Sequence, residues 1–188
     1  HDCGRKPTMN GYLQMMRSSP LLPLIRADWA ANSSNPKGIV VTTAFRLAHH
    51  VRGTGRAPIW SIPVLMIYRL LVDWILGIEI PPSVQAGPGL CIWHGTGLVL
   101  HKDVQLGCNV TLRHGVTIGT LGEQELSAAP VLGDSVSVGA GAIILGPYLI
   151  GESAVIGAGA VVVTDVPAGA TVVGNPGRIL PRNGITEQ

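Results

Sequence analysis

Hydrophobic residues along this chain keep two rhythms, and the change between them falls near Gly77. From Asn35 onward, apolar positions recur at the three- and four-residue spacing of a helix. In "SNPKGIVVTTAFRLAHHVRGTG", Ser34 or Asn35 can cap the start, Pro36 suits the first turn and Gly53 can stop the helix. A second helix is predicted beyond it, with Ser61 as cap, Pro63 in the first turn and Gly77 ending "VLMIYRLLVDWIL". From Ile78 that spacing is gone. Leu132, Val138, Ile144, Ile150, Ile156 and Val162 fall at a strict interval of six, and Val136, Ala142, Tyr148, Ala154, Ala160 and Val166 follow each by four. Leu100, Leu106, Leu112 and Ile118 keep the same step earlier, with Val104, Val110 and Val116 in the second position.

A period of six is neither a helix face nor plain strand alternation. It is the length of one short strand and one turn, and three such units close one coil of a parallel β-helix whose aliphatic residues stack inward. A β-sandwich would show turn signals every 8–12 residues instead. The expected architecture is therefore mainly β, a parallel β-helix over residues 78–188 behind a helical segment over residues 1–77.

Composition agrees with layered aliphatic packing: 46% of residues are hydrophobic, only 4% aromatic, and 25 are glycine. A net charge of +2 with scattered Lys and Arg argues against nucleic acid or an anionic membrane as partner. Cys3, Cys91 and Cys108 form no CxxC pair, so neither a disulfide framework nor a zinc knuckle is expected, and a reducing cytoplasm is the expected compartment. The N-terminal stretch has no continuous apolar segment before a cleavage-like site, so no signal peptide is expected. The greasy stretch "IWSIPVLMIYRLLVDWILG" carries Arg69 and Asp73 and is short for a bilayer. It reads as a buried helix.

The hexad count slips once in a telling place. Counting back from Leu100 in sixes reaches His94, whereas Ile80, Ala86 and Ile92 continue the ladder, so two residues are inserted within "HGTGLV". Such an irregularity re-aims side chains, and Gly95 and Gly97 supply the backbone freedom. Histidine can act as general base near neutral pH, best with a carboxylate on its other ring nitrogen. Glu79, fifteen residues back and nearly one coil away, is the candidate carboxylate. His114 is the rival base. His94, His101 and His114 lack an acidic or cysteine ligand at suitable spacing, so no metal is expected. The segment Thr120–Val131 breaks the count and should leave the wall as a loop able to cover a site.

With these features, "GAGAIILG", "IGAGAVVVTDVPAGATVVGNPGRIL", "AFRLAHHV" and "IYRLLVDWILGIEI" resemble the left-handed β-helix acyltransferases built on hexapeptide repeats, and the serine acetyltransferase group in particular, over about residues 40–181. That resemblance implies a left-handed coil, acetyl-CoA as donor, and a homotrimer, or a dimer of trimers, with sites between neighbouring β-helices. It carries a His–carboxylate dyad onto His94 and Glu79, where the family has an aspartate. It places donor contacts at Gly119, Ala140 and Ala158, with Arg178 near the coenzyme phosphates; Trp93, Arg113 and His114 are the candidate acceptor contacts, the Trp93 indole as a platform for a sugar ring. The family's Arg-His-Pro, suited to a serine acceptor, reads Ala128, Ala129 and Pro130 here, and its aspartate before the catalytic histidine is Trp93. These departures, and a likeness of "LRHGVTIG" to colanic-acid-type acetyltransferases, imply a sugar hydroxyl as acceptor. Serine, or a non-catalytic scaffold role, are the alternatives.

Overall fold

The computed structural model describes residues 20–53, 58–122 and 128–180. Its N-terminal part comprises α1 (Leu21–Ala31), α2 (Pro36–Arg52), a 3-10 turn (Ile59–Ser61) and α3 (Ile62–Tyr68), which continues as a π-helical stretch (Arg69–Ile75). Helix α2 starts and stops as its sequence predicts: the Asn35 side chain accepts from the Gly38 N–H, and Gly53 has φ +67°.

Three differences from the sequence reading concern this part. Helix α1 was not among the predicted elements. Ser61 is not a cap, because its hydroxyl donates backwards to the Pro58 carbonyl at 2.6 Å and the 3-10 turn runs straight into α3. The 62–75 stretch is not a buried helix either. Only Tyr68 and Val72 are buried there, while Trp74 is 83% exposed and Met66, Ile67, Leu70 and Ile75 also face outward.

From Ile78 the chain winds through short strands that fall into three sheets, one per wall. The first wall holds β1 (Ile78–Glu79), β4 (Leu98–Leu100), β7 (Thr117–Gly119), β10 (Ile143–Leu145) and β13 (Val161–Val162). The second holds β2 (Gln85–Ala86), β5 (Gln105–Leu106), β8 (Val131–Leu132) and β11 (Leu149–Ile150). The third holds β3 (Cys91–Trp93), β6 (Thr111–Arg113), β9 (Ser137–Val138), β12 (Val155–Ile156) and β14 (Thr171–Val173), with β15 (Arg178–Ile179) returning antiparallel on β14. All other named pairings are parallel, as successive turns of one coil require. The architecture is a left-handed parallel β-helix with a helical front end.

The hexad residues are its core. Ile92, Leu112, Val138, Ile156 and Val172 stack in register on one wall, and Leu100, Ile118, Ile144 and Val162 on another, all at most 3% exposed. Each such side chain contributes about 1.5–3 kcal/mol by leaving water. Tyr148 departs from its column and is only half-buried, lying over the left-handed Gly146. The register also reports the insertions. Val138 lies opposite Ile156, eighteen residues on, but Ile92 lies opposite Leu112, twenty residues on, and Leu112 opposite Val138, twenty-six on. The first surplus falls in the corner at His94 and the second in the segment between Gly119 and Val131, of which residues 123–127 lie outside the described ones.

The helices close the open lower edge of this coil with side chains. The Asp28 carboxylate accepts from the Gly89 and Leu90 N–H groups, Asn32 donates to the Leu90 carbonyl and accepts from the Ile92 N–H, and Asn35 donates to the Ile92 carbonyl. Arg46 pairs with Asp28 at 2.7 Å and donates to the Ala86 and Gly87 carbonyls. Backbone groups of an edge left bare would template pairing with another chain. Here those from Ala86 to Ile92 just named are met by buried polar side chains, the part a terminal cap of a solenoid plays.

Candidate active site

The corner joining β3 to β4 is wider than its counterparts. Elsewhere on this edge one left-handed glycine turns the chain, at Gly77, Gly115, Gly141 and Gly159, with φ between +64° and +66°. At the widened corner His94 (φ +65°), Gly95 (φ +56°) and Gly97 (φ +74°) are all left-handed. A non-glycine residue in that region costs about 1–2 kcal/mol, and strain of this kind gathers at functional sites. Gly95 is obligatory, since a Cβ there would stand 2.7 Å from Ile78 Cδ1 and 3.0 Å from Ile92 Cγ2. The turn is closed by the Thr96 N–H donating to the His94 carbonyl at 2.7 Å and the Leu98 N–H to the Gly95 carbonyl at 2.9 Å. The backbone thereby pushes the His94 side chain out of the wall, where it is exposed.

Several residues singled out in the sequence meet at this corner. The His114 ring stands 6.2 Å from that of His94, edge to face, and the half-buried Trp93 ring 6.1 Å away on the other side. Arg113 is the register partner of Trp93 one coil up. The N–H groups of Gly115, Gly141 and Gly159 donate to the carbonyls of Thr96, His114 and Ala140, so Thr96, His114, Ala140 and Ala158 form one column up the edge. Nothing lies within 4 Å of a Cβ built on Gly141 or Gly159, so the upper part of the column is open.

Other candidates lie elsewhere. Gly119 ends β7 at the next corner, opposite Leu145, where the extruded segment begins. Arg178 lies on β15, which folds back over the last coil opposite Val173. Glu79 is exposed on the first wall at the register position of Val99, and among the described residues no hydrogen bond or ion pair joins it to His94. It lines instead a cleft of about 300 Å³ beneath the π-helical stretch, together with Arg52, Arg69, Asp73 and Ser83. Burial there, and then the nearby Glu79 charge, push the Asp73 carboxyl above the usual carboxylate range against the pull of Arg69.

Two residues of the corner escaped sequence reasoning. Lys37, on the first turn of α2, donates to Thr96 Oγ1 at 2.8 Å. Nothing local to Lys37 signals this, because its partner is 59 residues away and only the docking of α2 under the first coil brings them together. Thr96 itself lay inside the segment identified as irregular. Its neighbours His94 and Gly95 drew the attention, since a threonine is unremarkable in a turn.

Chemically, the corner offers two imidazoles and an indole, neighbouring ring centroids about 6 Å apart, at the foot of the column of Thr96, His114, Ala140 and Ala158. An exposed imidazole can take a proton from a hydroxyl and return it. Among the described residues, no group of three His, Cys, Asp or Glu could hold a metal ion, and no helix is long and apolar enough to cross a membrane.

No family model matches the chain. It is 36% identical over 156 residues to the WcaB protein of Escherichia coli strain K12, named as an acetyltransferase of colanic acid biosynthesis, covering 81% of this chain and 96% of that protein. It is 37% identical over 161 residues to a serine acetyltransferase of Helicobacter pylori, covering 86% of this chain and 91% of that one. Among solved structures, soybean serine acetyltransferase superposes with a TM-score of 0.75 at 34% identity, over 89% of this chain and 72% of that one. The coenzyme A complex of the Brucella abortus serine acetyltransferase gives 0.73 at 31% identity, over 87% and 68%.

Proposed function

The chain belongs to the serine acetyltransferase family of hexapeptide-repeat acyltransferases, and on that footing we propose that it moves an acetyl group from acetyl-CoA to a hydroxyl of a sugar, in the making of an exopolysaccharide, with His94 as general base. The observation that carries this reading is the widened corner, which spends backbone strain and an obligatory glycine to hold one exposed histidine beside a second.

In the reaction, a His94 ring nitrogen takes the acceptor proton as the hydroxyl oxygen attacks the thioester carbonyl. The tetrahedral intermediate collapses with cleavage of the carbon–sulfur bond, and the proton passes to the departing thiolate. The column from Thr96 to Ala158 spans three coil steps, ~15 Å at ~4.8 Å per step. That length and its open upper part suit an extended pantetheine arm, with the thioester at His94 and the phosphates towards Arg178. Glu79 is proposed as the carboxylate that steadies the imidazolium, which requires its side chain to swing out of the cleft it lines here. His114 and Arg113 face the acceptor, and Trp93 offers its indole to the apolar side of a sugar ring. Gly119 of one chain would meet the His94 corner of the next in a trimer.

A sugar is favoured over serine because the loop positions that would meet a serine carboxylate carry nothing to meet it with. Ala128 is a bare methyl, Ala129 packs against the core, and the buried Pro130 uses its carbonyl to accept from the Gln105 N–H. An unpartnered carboxylate would cost a few kcal/mol to desolvate (~1–3). The Escherichia coli relative supports the same reading, and the Helicobacter pylori relative supports serine. Thiol release from acetyl-CoA, measured against serine and a panel of bacterial exopolysaccharide sugars, separates the two. Turnover with a glycan and little with serine is expected; efficient acetylation of serine alone would restore the amino-acid enzyme.

A further inference from the structure

We infer that Lys37 is a positioning residue for this acetyl transfer, an inference that rests on the reading of His94 as base: from the helical segment it holds the widened corner in the one shape that presents the imidazole. The expanded turn needs such a hold. With three left-handed residues and two glycines in four positions, it is the corner of the coil with the most backbone freedom. Its neighbours on the same edge turn on one glycine each, and Gly115 stacks on Gly141 with 3.5 Å between a built Cβ and the next Cα; of the widened corner only Gly97 joins this stack, on Gly115 at the same distance, which leaves His94 and Gly95 outside it.

The hold comes from outside the coil. Asn35 fixes the start of α2 against β3, accepting from the Gly38 N–H at 3.1 Å while donating to the Ile92 carbonyl at 2.6 Å. Gly38 lets the helix come this close, since any Cβ there would overlap the Asn32 and Asn35 side chains. Lys37 is thereby fixed two residues past the cap, and its ammonium donates to Thr96 Oγ1 at 2.8 Å. An ammonium has only protons to give, so it casts the Thr96 hydroxyl as acceptor and leaves its single proton for another partner. The His94 carbonyl, 3.4 Å away, is an acceptor within reach of that proton at long range, while the Thr96 carbonyl accepts from the Gly115 N–H in the coil above. A chain of contacts thus runs from Lys37 through Thr96 to the backbone of His94. Lys37 is half-buried and meets no carboxylate among the described residues, so it is not spent on an ordinary ion pair.

The test uses the full chain and the variants Lys37→Met, Lys37→Arg, Thr96→Val and the Met/Val double. Lys37→Met is expected to lower kcat about tenfold or more, as small misplacements of a base do, with KM for acetyl-CoA little changed. Lys37→Arg, which can also donate, restores most of the rate. Thr96→Val reproduces the loss without touching the lysine, and the double variant is no worse than the poorer single one, as expected of two links in one chain. The His94 ring carbon–proton NMR signal, which needs no acceptor, should shift or broaden in both single variants while the melting temperature holds. Unchanged kcat, additive losses, or an effect confined to the acceptor KM would overturn the inference. So would an unperturbed His94 signal, even if no acceptor were turned over by the native chain.

Discussion

Gly95 and His94 divide the labour of the widened corner between space and conformation. Gly95 has no room for a side chain and a left-handed φ, so Gly95→Ala should destabilise by about 2–4 kcal/mol, combining the left-handed penalty with overpacking against Ile78 and Ile92. A urea midpoint shift of that size with an unchanged slope is the expected result; a shift within error would mean that the corner relaxes freely. His94 was legible in the sequence because the hexad count stumbles there, and a count kept over many repeats makes one error conspicuous. His114 was legible as a second histidine able to act as base, and Trp93 as the residue standing where the resembled family has an aspartate before its catalytic histidine. Lys37 was not, because a lysine two residues into a helix carries no local sign of what the far end of its side chain will touch.

At the scale of elements, the same contrast separates the coil from its helical cap. The hexads could be read because each inward residue faces copies of itself, so the pattern repeats along the chain. Helix α2 buries Val41, Phe45 and Ala48 in one cluster with the coil residues, the apolar part that a helical period shows. Beside them Asp28, Asn32, Asn35 and Arg46 are buried and polar and match unpaired backbone groups, a role with no periodic signal in the sequence. Asp28→Ala would strand the Arg46 guanidinium, 2% exposed, without its partner, and is expected to cost about 3–5 kcal/mol. Thermal unfolding should show it as a loss of many degrees, and a neutral outcome would contradict the capping role.

Close by, His49 supplies a pH dependence. Its Nδ1 lies 2.8 Å from the Pro82 carbonyl. Burial, then the charges of Arg46, Arg52 and His50, hold the imidazolium below its ordinary pKa of 6.5 against the raising effect of that carbonyl. With the folded value depressed, the unfolded chain binds more protons between the two values. The His49 contribution to stability is therefore whole above pH 6.5 and falls as pH drops through the folded value. Urea midpoints taken downward from pH 7.5 should decline more steeply for the native chain than for His49→Gln; parallel curves would assign the decline to other groups.

For the molecule as a whole, we propose that copies of the chain cover one another, because apolar side chains stand exposed on both halves of the described residues. Val99, Leu149, Val155, Val163 and Val173 stand exposed on the walls, and Trp60, Met66 and Trp74 on the helical segment. Exposed apolar surface of this extent marks an interface, and a prism with three walls shares them most simply by cyclic symmetry. Light scattering is expected to give three chains of 19.6 kDa, or six if the helical faces also pair. A monomer at micromolar concentration would contradict it. The sequence foretold a greasy helix that must be buried against something, but composition reports only that apolar surface must be covered, without saying by which molecule.

Turnover of His94→Ala beside the native chain, by thiol release from acetyl-CoA with the best acceptor of the panel, tests whether one strained, exposed histidine performs the proton transfer in acetylation. A general base contributes roughly 10²–10⁴-fold, so the variant should keep its fold and assembly and lose at least two orders of magnitude in kcat. Retention of most of the native rate by a pure, folded His94→Ala protein would contradict the account and pass the role to His114.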